Sequence, residues 1–321
     1  MVDINSIFTL ENELDFEKKA FEVFQFQREN CSVYKEYVRI LNKPDPTCIE
    51  EIPFLPISFF RTQKIITQDK KAEIIFKSSG TTDSERSQHV VADIELYKAS
   101  FLRSYEQFVG KPEEQVILAL LPNYLDQGDS SLVFMVDDLI KKSATDLSGF
   151  VLNSIEEVQK RYRAAIQANK KCVIIGVSYA LLDLAETGSD FSQACVIETG
   201  GMKGRRKELI KEEIHAILKQ GLNLDNVMSE YGMTELLSQA YSQKEGLFQT
   251  PNWMKVLVRD VYDPLTYEKE GKLGGINIID LANLFSCSFI ATDDLGRKYD
   301  DHFTISGRMD NSILRGCNLL V

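Results

Sequence analysis

The 321-residue sequence has few of the residues that mark several common classes of protein. Its six cysteines form no CxxC pairs or Cys/His clusters, which argues against structural zinc and indicates free thiols in a reducing compartment. Its three histidines are too dispersed to suggest a catalytic triad. The Walker pattern GxxxxGK[S/T] of many nucleotide-binding proteins is also absent.

Membrane and nucleic-acid binders are disfavoured by composition. No apolar run approaches the roughly 20 residues that span a bilayer, and the N-terminus lacks the basic flank and apolar core of a signal peptide. The chain has 37 basic and 48 acidic residues, a net charge of -11, whereas nucleic-acid binders usually present a basic face. With 44% hydrophobic residues it is expected to be globular and cytoplasmic, without membrane or nucleic-acid partners.

The order of predicted elements is typical of a layered α/β protein. Residues 12–43 have helical periodicity, and strands are predicted at 65–67 and 73–76. After residue 92, helices alternate with buried strands, a spacing that implies parallel pairing (helices 93–109, 131–141, 155–169 and 207–220; strands 115–121, 171–177, 195–198 and 226–228). From residue 247 onward short strands predominate (252–261, 275–280, 287–292 and 302–306). We therefore predict a helical segment 1–50, an α/β core 51–246 and a β-rich subdomain 247–321.

The sharpest local feature is the segment KSSGTTDS at 77–84, directly after a predicted strand. Small hydroxyl residues around a glycine allow backbone N–H and side-chain O–H groups to converge on phosphate oxygens. The structural alternative is a Ser/Thr-rich turn that caps a helix.

The second feature is the segment SEYGMTE at 229–235, which follows another predicted strand. A threonine and a glutamate at a strand end can place a hydroxyl on a phosphate and a carboxylate on Mg²⁺. The alternative is an ordinary helix N-cap, with Thr234 as the cap and Glu235 in the first turn.

Two later segments supply a carboxylate and an arginine. ATDDLG at 291–296 suits a bidentate grip on ribose hydroxyls, and GRMDNSILRGC at 307–317 suits ribose or phosphate oxygens. Taken singly, each segment also fits a turn, and their order along the chain is the stronger signal.

That order resembles the acyl-adenylate-forming superfamily of acyl-CoA ligases, luciferases and peptide-synthetase adenylation domains. The motifs follow one another as they do in that family: SSGTT, a Gly-Gly after a strand, YGMTE, TDDLG and GRMDNSI. The segments 52–60, 121–125, 130–133 and 315–320 are most similar to the acyl-protein synthetases of bacterial fatty-acid reductase, and next to phenylacetate-CoA ligases. The likeness covers residue 50 to the C-terminus, and it implies a layered adenylate-forming fold of parallel-rich sheets between helices.

The resemblance also implies roles for individual residues. The β- and γ-phosphates of ATP would contact Ser78, Ser79, Gly80, Thr81 and Thr82. Adenine would lie against Gly200, Gly201, Met202 and Tyr231. Thr234 would contact the α-phosphate, Glu235 would bind Mg²⁺, Asp294 the ribose hydroxyls, and Arg308 ribose or phosphate oxygens. Asp310 would be the hinge, and residues 176–179 would border an acyl channel.

The sequence departs from the family pattern in three places. The usual lysine after SGTT is missing; Arg86 or His89 is a candidate substitute, although a solvated turn is the simpler interpretation of both. TDD replaces the usual TGD, which leaves Asp293 without an assigned role. Common members continue beyond GRxD into a mobile lid with a second catalytic lysine, and we expect that lid to be absent or vestigial here.

The acyl-protein-synthetase likeness offers an acceptor for the acyl group. In that subgroup a cysteine near the C-terminus takes the acyl group as a thioester, and Cys317 matches its position; Arg315 would favour the thiolate. The alternative is a buried structural cysteine. The resemblance thus implies ATP- and Mg²⁺-dependent activation of a carboxylic acid, which we expect to be a fatty acid, with a reductase, acyltransferase or acyl-carrier protein as partner. A ligase that acylates CoA or a carrier protein, and a non-catalytic nucleotide- or acyl-binding module, stay open as alternatives.

Overall fold

The computed structural model describes residues 2–78, 86–122, 128–152, 154–201 and 209–309. The described residues group into two compact units. Unit 1 comprises those up to residue 100, 234–238 and those from 249 onward; unit 2 comprises 101–233 and 239–248. The units alternate along the chain, whereas the domains predicted from the sequence are contiguous, and the boundaries at 50 and 246 stay a prediction.

The helices and strands follow one another as the sequence pattern indicates. The helices are α1 (Ile4–Ile7), α2 (Glu13–Asn30), α3 (Ser32–Leu41), α4 (Phe59–Thr62), α5 (Ile94–Phe108), α6 (Ser131–Lys142), α7 (Ile155–Gln167), α8 (Ser178–Ala185) and α9 (Lys211–Leu222). The strands are β1 (Leu55–Pro56), β2 (Ile74–Lys77), β3 (Gln88–Val91), β4 (Gln115–Leu120), β5 (Gly149–Phe150), β6 (Lys171–Gly176), β7 (Ala194–Glu198), β8 (Met228–Tyr231), β9 (Ala240–Ser242), β10 (Phe248–Gln249), β11 (Met254–Arg259), β12 (Gly274–Asp280), β13 (Phe289–Lys298) and β14 (Phe303–Arg308).

Local sequence sets several helix ends. Asn12 caps α2 by accepting from the Asp15 amide at 3.0 Å, and Ser154 caps α7 by accepting from the Glu157 amide at 3.2 Å. These side chains satisfy amides that have no partner within the first helical turn. Helix α9 ends at Asn223 in the left-handed region (φ 57°), which asparagine adopts more readily than most residues.

The β-rich part of unit 1 is an antiparallel sheet in the order β11-β12-β13-β14, with β1 added parallel to β13. A separate hairpin pairs β2 with β3. Strands β11 to β14 come from residues 254–308, in agreement with the predicted β-rich character of the C-terminal third.

Aromatic and amide contacts attach helix α2 to strand β13. Phe289 stacks on Tyr34 with ring centroids 5.9 Å apart, and the edges of Phe24 and Phe54 approach it at 6.2 and 6.1 Å. The buried Gln27 side chain donates to the carbonyls of residues 283 and 284 at 2.9 Å and accepts from the Ser288 amide at 2.9 Å. Because buried amide groups need partners, these contacts specify one arrangement.

Unit 2 contains the parallel sheet that the sequence predicts. Its order is β9-β8-β7-β6-β4-β5, in which β8, β7, β6, β4 and β5 pair in parallel and β9 is antiparallel to β8. Helices α8 and α9 pack closely: a Cβ at Gly221 would lie 2.6 Å from the Ala185 carbonyl oxygen, so only glycine fits. The α/β fold class is therefore confirmed.

One strand prediction is wrong. Residues 65–67 form no strand; Thr67 makes only an isolated bridge with Cys31. The segment is apolar and Ile65 is buried, but so short an apolar segment does not distinguish a strand from a buried loop.

Candidate active site

The hairpin of β2 and β3 carries Ser78, the first predicted phosphate-binding residue. Its amide donates to the Ser87 carbonyl at 3.0 Å, and its Oγ accepts from the Ser87 amide at 2.8 Å. Arg86 Nε donates to the Ser78 carbonyl at 2.5 Å. These bonds fix the base of the predicted loop and leave the Ser78 hydroxyl proton able to donate. Ser79, Gly80, Thr81 and Thr82 lie outside the described residues.

The segment that contains Thr234 and Glu235 is a turn. Across the fully described stretch 209–309, α9 ends before this segment and no helix begins at Thr234, so the N-cap alternative is wrong. The amides that a helix would have used are bonded elsewhere. Asp280, at the end of β12, accepts from the amides of Leu237 at 2.9 Å and Ser238 at 3.0 Å, and from Ser238 Oγ at 2.6 Å.

Glu235 is a buried carboxyl group that lies among polar and charged neighbours. It is only 4% exposed, and burial raises its pKa. The Ser87 hydroxyl and the positive charge of Arg308 oppose that rise, whereas the negative charge of Asp294 adds to it. A buried carboxylate beside a second carboxylate is a favourable place for a cation, because a cation would relieve both the desolvation and the repulsion.

Two of the other predicted residues face each other across a strand pair. Asp294 on β13 is in register with Arg308 on β14, and Arg308 Nε lies 3.3 Å from Asp294 Oδ1. Asp294 is buried, whereas the Arg308 side chain is 82% exposed and free to approach a ligand. The structure therefore brings together Glu235, Asp294 and Arg308 in unit 1, as their predicted shared site requires.

His89 does not lie in a solvated turn, and that interpretation is wrong. It lies on β3, is 0% exposed, and its Nδ1 is 2.8 Å from the Thr234 carbonyl oxygen. Because a carbonyl only accepts, Nδ1 carries the proton. Burial lowers the pKa of His89 to about 4, although the Thr234 carbonyl and Asn283 oppose the change, so the ring is neutral near pH 7. It therefore cannot supply the positive charge of the missing lysine.

The predicted adenine residues lie in unit 2. Gly200 and Gly201 follow β7 with φ values of 78° and 90°, a conformation that favours glycine. The Gly200 amide donates to Glu198 Oε1 at 2.6 Å, and its carbonyl accepts from the Ser178 amide at 3.1 Å. Tyr231 ends β8, with its ring 5.8 Å from that of Phe248. Met202 lies outside the described residues.

The two buried carboxyl groups of Glu198 and Glu230 in unit 2 differ in protonation state. Burial by itself raises the pKa of Glu198, but Lys211 at 3.1 Å, the Ser178 hydroxyl and the Gly200 amide together leave that pKa below its ordinary value. Burial raises the pKa of Glu230 to about 8; Lys211 opposes this and Glu198 reinforces it. Near neutral pH, Glu198 is therefore ionised and Glu230 is mostly protonated.

Replacing Glu230 with glutamine is expected to remove a pH-dependent loss of stability. The folded-state pKa is about 8 against 4.5 in the unfolded chain, so folded protein retains a proton that unfolded protein releases. The free energy of unfolding therefore falls as pH rises through that window. The full shift corresponds to at most ~5 kcal/mol, and we expect glutamine to recover at least ~1 kcal/mol at pH 8.5.

Urea denaturation at pH 5 and pH 8.5 measures this effect. Glu212→Gln, on the exposed face of α9, is the matched control and is expected to change the pH slope little. An equal slope for wild type and Glu230→Gln would contradict the assignment.

Three residues that help build the site were missed in the sequence (Ser87, Asp280 and Asn283), and His89 was considered only as a substitute for the missing lysine. Ser87 and His89 are buried on either side of the exposed Gln88, and an alternation this short is a weak signal of a strand. Asp280 ends the apolar strand GGINIID, and a carboxylate at a buried strand end is a usable sign of a structural or functional role.

The described part of the chain has neither a cluster of metal-binding side chains nor a helix that could span a membrane. No group of three or more His, Cys, Asp or Glu side chains is arranged to hold a metal ion there. None of the described helices has the length and apolar content needed to cross a bilayer. The five described cysteines are unpaired, as predicted (Cys31, Cys48, Cys172, Cys195 and Cys287). Cys317 and Asp310 lie outside the described residues.

No protein-family model and no curated protein sequence matches the chain. Solved structures do match. MatB from Rhodopseudomonas palustris, bound to ATP, aligns with a TM-score of 0.56 and 17% identity over 75% of this chain and 50% of that one. 2-Hydroxyisobutyryl-CoA ligase in complex with 2-HIB-AMP aligns with a TM-score of 0.66 and 10% identity over 93% and 68%. A luciferase-like enzyme from the mealworm Zophobas morio gives 0.53 and 14% over 76% and 59%.

These likenesses show that the chain has the fold of the N-terminal domain of adenylate-forming enzymes. At such low identity they show the fold alone. The chain matches about half the length of MatB.

Proposed function

We propose that this protein activates a carboxylic acid with ATP to give an acyl-adenylate and then passes the acyl group to a thiol. The observation that carries the proposal is the buried Glu235 carboxyl in unit 1, hydrogen-bonded to Ser87 and influenced by Asp294 and Arg308. Glu235, Asp294 and Arg308 lie in the motifs that resemble those of adenylate-forming enzymes, and the chain has that fold.

The proposed reaction needs no protein nucleophile. A carboxylate oxygen of the acid attacks the α-phosphorus of ATP, the bond to the bridging oxygen breaks, and pyrophosphate leaves. What the protein must supply is in-line positioning and neutralisation of phosphate charge. In this proposal Ser78 donates to the terminal phosphates, Thr234 donates to the α-phosphate, and Arg308 neutralises charge on the ribose-phosphate side.

Glu235 and Asp294 fit the two remaining tasks. Glu235 is the proposed Mg²⁺ ligand; its buried, hydrogen-bonded carboxyl group is the oxygen donor that this hard cation prefers. Bound Mg²⁺ would supply neutralisation of the phosphate charge. Asp294, fixed by the strand register, accepts hydrogen bonds from the ribose hydroxyls. In unit 2, Gly200, Gly201 and Tyr231 are the proposed adenine contacts, together with Met202.

The acid is proposed to be a fatty acid, and the thiol is proposed to be that of Cys317. Residues 176–179, where β6 ends and α8 begins with buried side chains, are the proposed wall of the acyl channel for a fatty acid. Cys317 is the proposed acceptor: its thiolate attacks the acyl carbon, and AMP leaves. A reductase, acyltransferase or acyl-carrier protein would then collect the acyl group. The unpaired cysteines support a reducing, cytoplasmic location.

A ligase that transfers the acyl group directly to CoA or a carrier protein is the alternative thiol chemistry. It is supported by the fold shared with 2-hydroxyisobutyryl-CoA ligase. A non-catalytic nucleotide- or acyl-binding module is the alternative from another class, and pyrophosphate chemistry separates it from both enzymes.

The test is intact mass spectrometry after incubation with ATP, Mg²⁺ and a mixture of fatty and aromatic acids. We expect a hydroxylamine-labile acyl adduct that maps to Cys317 and disappears in Cys317→Ser, together with acid-dependent ATP–pyrophosphate exchange that Cys317→Ser retains. Cys48→Ser is the matched control, because Cys48 is exposed and would report nonspecific acylation.

The other outcomes choose between the alternatives. Acid-dependent exchange without a protein adduct, and with acyl-CoA formed on adding CoA, would replace self-acylation with the CoA ligase. The absence of exchange across a broad panel of acids would refute acid activation and leave the binding module.

A further inference from the structure

Two buried side chains hold the peptide carbonyls of Thr234 and Glu235. His89 Nδ1 donates to the Thr234 carbonyl at 2.8 Å, and Asn283 Nδ2 donates to the Glu235 carbonyl at 2.7 Å. Both side chains are 0% exposed. His89 comes from strand β3 and Asn283 from the short turn Leu281–Asn283 that follows β12. All four residues belong to unit 1.

The same two side chains each leave an acceptor unused. His89 Nε2 and Asn283 Oδ1 are buried and have no hydrogen-bond partner within the described residues. The donated hydrogen bonds explain the unused acceptors. Once each side chain donates its N–H to a carbonyl, only the neutral imidazole nitrogen Nε2 and the amide oxygen Oδ1 remain. Both of these are acceptors, and two acceptors cannot form a hydrogen bond with each other. Unpaired buried polar atoms are unfavourable, so other contacts must stabilise this arrangement.

Other contacts keep His89 in this position. The Phe60 ring meets the imidazole edge-on, with centroids 5.7 Å apart. Strand pairing places His89 opposite Phe76 on β2. The segment that His89 holds is also tied from its far side, because Asp280 accepts from the amides of Leu237 and Ser238. The backbone of 234–238 is therefore fixed through its carbonyls at one end and its amides at the other.

We propose that His89 and Asn283 are positioning residues that fix the Thr234 hydroxyl and the Glu235 carboxylate for the bound nucleotide. The inference rests on the proposed function and extends it to residues that touch neither nucleotide nor acid. They act on the backbone of Thr234 and Glu235, so that ATP and Mg²⁺ meet side chains already oriented. Because small misplacements of reacting groups reduce rates steeply, such support affects turnover more than affinity.

The test compares four variants, at His89, Asn283 and Tyr34, with wild type by ATP–pyrophosphate exchange, thermal melting and Mg²⁺·ATP binding. His89→Leu removes the donor, whereas His89→Asn returns an amide N–H near the Nδ1 position. Tyr34→Phe is the matched control: it also removes one fully buried side-chain hydrogen bond to a carbonyl in unit 1, that of Pro53 at 2.6 Å.

We expect His89→Leu to lower kcat about 10- to 100-fold with KM for ATP changed less than about 3-fold. His89→Asn should recover kcat to within about 3-fold of wild type. Tyr34→Phe should have a lower melting temperature than wild type and retain the wild-type kcat. Asn283→Leu should resemble His89→Leu.

Three results would overturn the proposal. One is a His89→Leu kcat equal to that of Tyr34→Phe; another is a His89→Asn kcat as low as that of His89→Leu; the third is a loss of kcat that follows melting temperature in all variants. If the wild type catalyses exchange and any of these three results is found, the positioning role alone is refuted. A wild type with neither exchange nor Mg²⁺·ATP binding refutes the proposed function, and the positioning role with it.

Discussion

Glu235→Gln is expected to lower acid-dependent ATP–pyrophosphate exchange about 100-fold or more while leaving the folded protein at least as stable as wild type. Glutamine has the shape of glutamate and can still bond the Ser87 hydroxyl, but it has no charge with which to bind Mg²⁺. Burial and the neighbouring Asp294 raise the pKa of Glu235, so the charged form is unfavourable in the free protein. A loss of activity combined with a gain in stability is characteristic of a residue kept for function.

The measurement pairs exchange rates over a range of Mg²⁺ concentrations with thermal melting. Glu235→Asp is the companion variant; it keeps the charge but withdraws it by one methylene, and an intermediate rate is expected. If Glu235→Gln retains more than about a tenth of the wild-type rate, Glu235 does not bind the metal in the proposed way.

Asp280→Ala is expected to reduce the free energy of unfolding by about 3–5 kcal/mol, the largest stability effect that we predict for a single substitution. The carboxylate is 0% exposed and accepts four hydrogen bonds, from the amides of Leu237, Ser238 and Ala282 and from the Ser238 hydroxyl. Alanine would leave buried amides unpaired. Asparagine can still accept from two of them, so Asp280→Asn is expected to lose less.

Urea denaturation near pH 7 measures the loss. Asp260→Ala is a matched control, because the Asp260 carboxylate also accepts from two backbone amides, at 2.6 and 2.7 Å, but lies on the surface. Water can replace the lost acceptor there, and a much smaller loss is expected. Equal losses for Asp260→Ala and Asp280→Ala would show that burial is not the source of the effect.

Local patterns predicted the elements well where a periodic run was long. Helices α2 and α3 together span the predicted helical range, and helices α5, α6 and α7 and strands β4, β6 and β7 lie within a few residues of theirs. Their apolar spacing is repeated over several turns or over a fully buried strand, so the local signal and the tertiary structure agree. The motif order also predicted the fold that the structural comparisons show.

Predictions that depended on distant partners failed. Thr234 followed by Glu235 fits a helix N-cap locally, yet Asp280 takes the Leu237 and Ser238 amides from 43 and 42 residues away. His89 follows a polar, loop-like stretch, and its hydrogen-bond partner is the carbonyl of Thr234, 145 residues later. A single sequence shows neither partner. It does show that Glu235, Asp294 and Arg308 have suitable chemistry, and the structure brings those three together.

The discontinuity of unit 1 has a consequence for the order in which the chain can fold during its synthesis. Helix α2 emerges from the ribosome long before Ser288, to which its Gln27 side chain donates, 261 residues later. Phe24 and Tyr34 likewise pack on Phe289. The side chains of α2 and α3 that contact residues 283–289 must therefore remain without those partners until nearly all of the described chain has been made. Because unpaired apolar surface on a nascent chain favours aggregation, α2 and α3 are expected to need protection during synthesis.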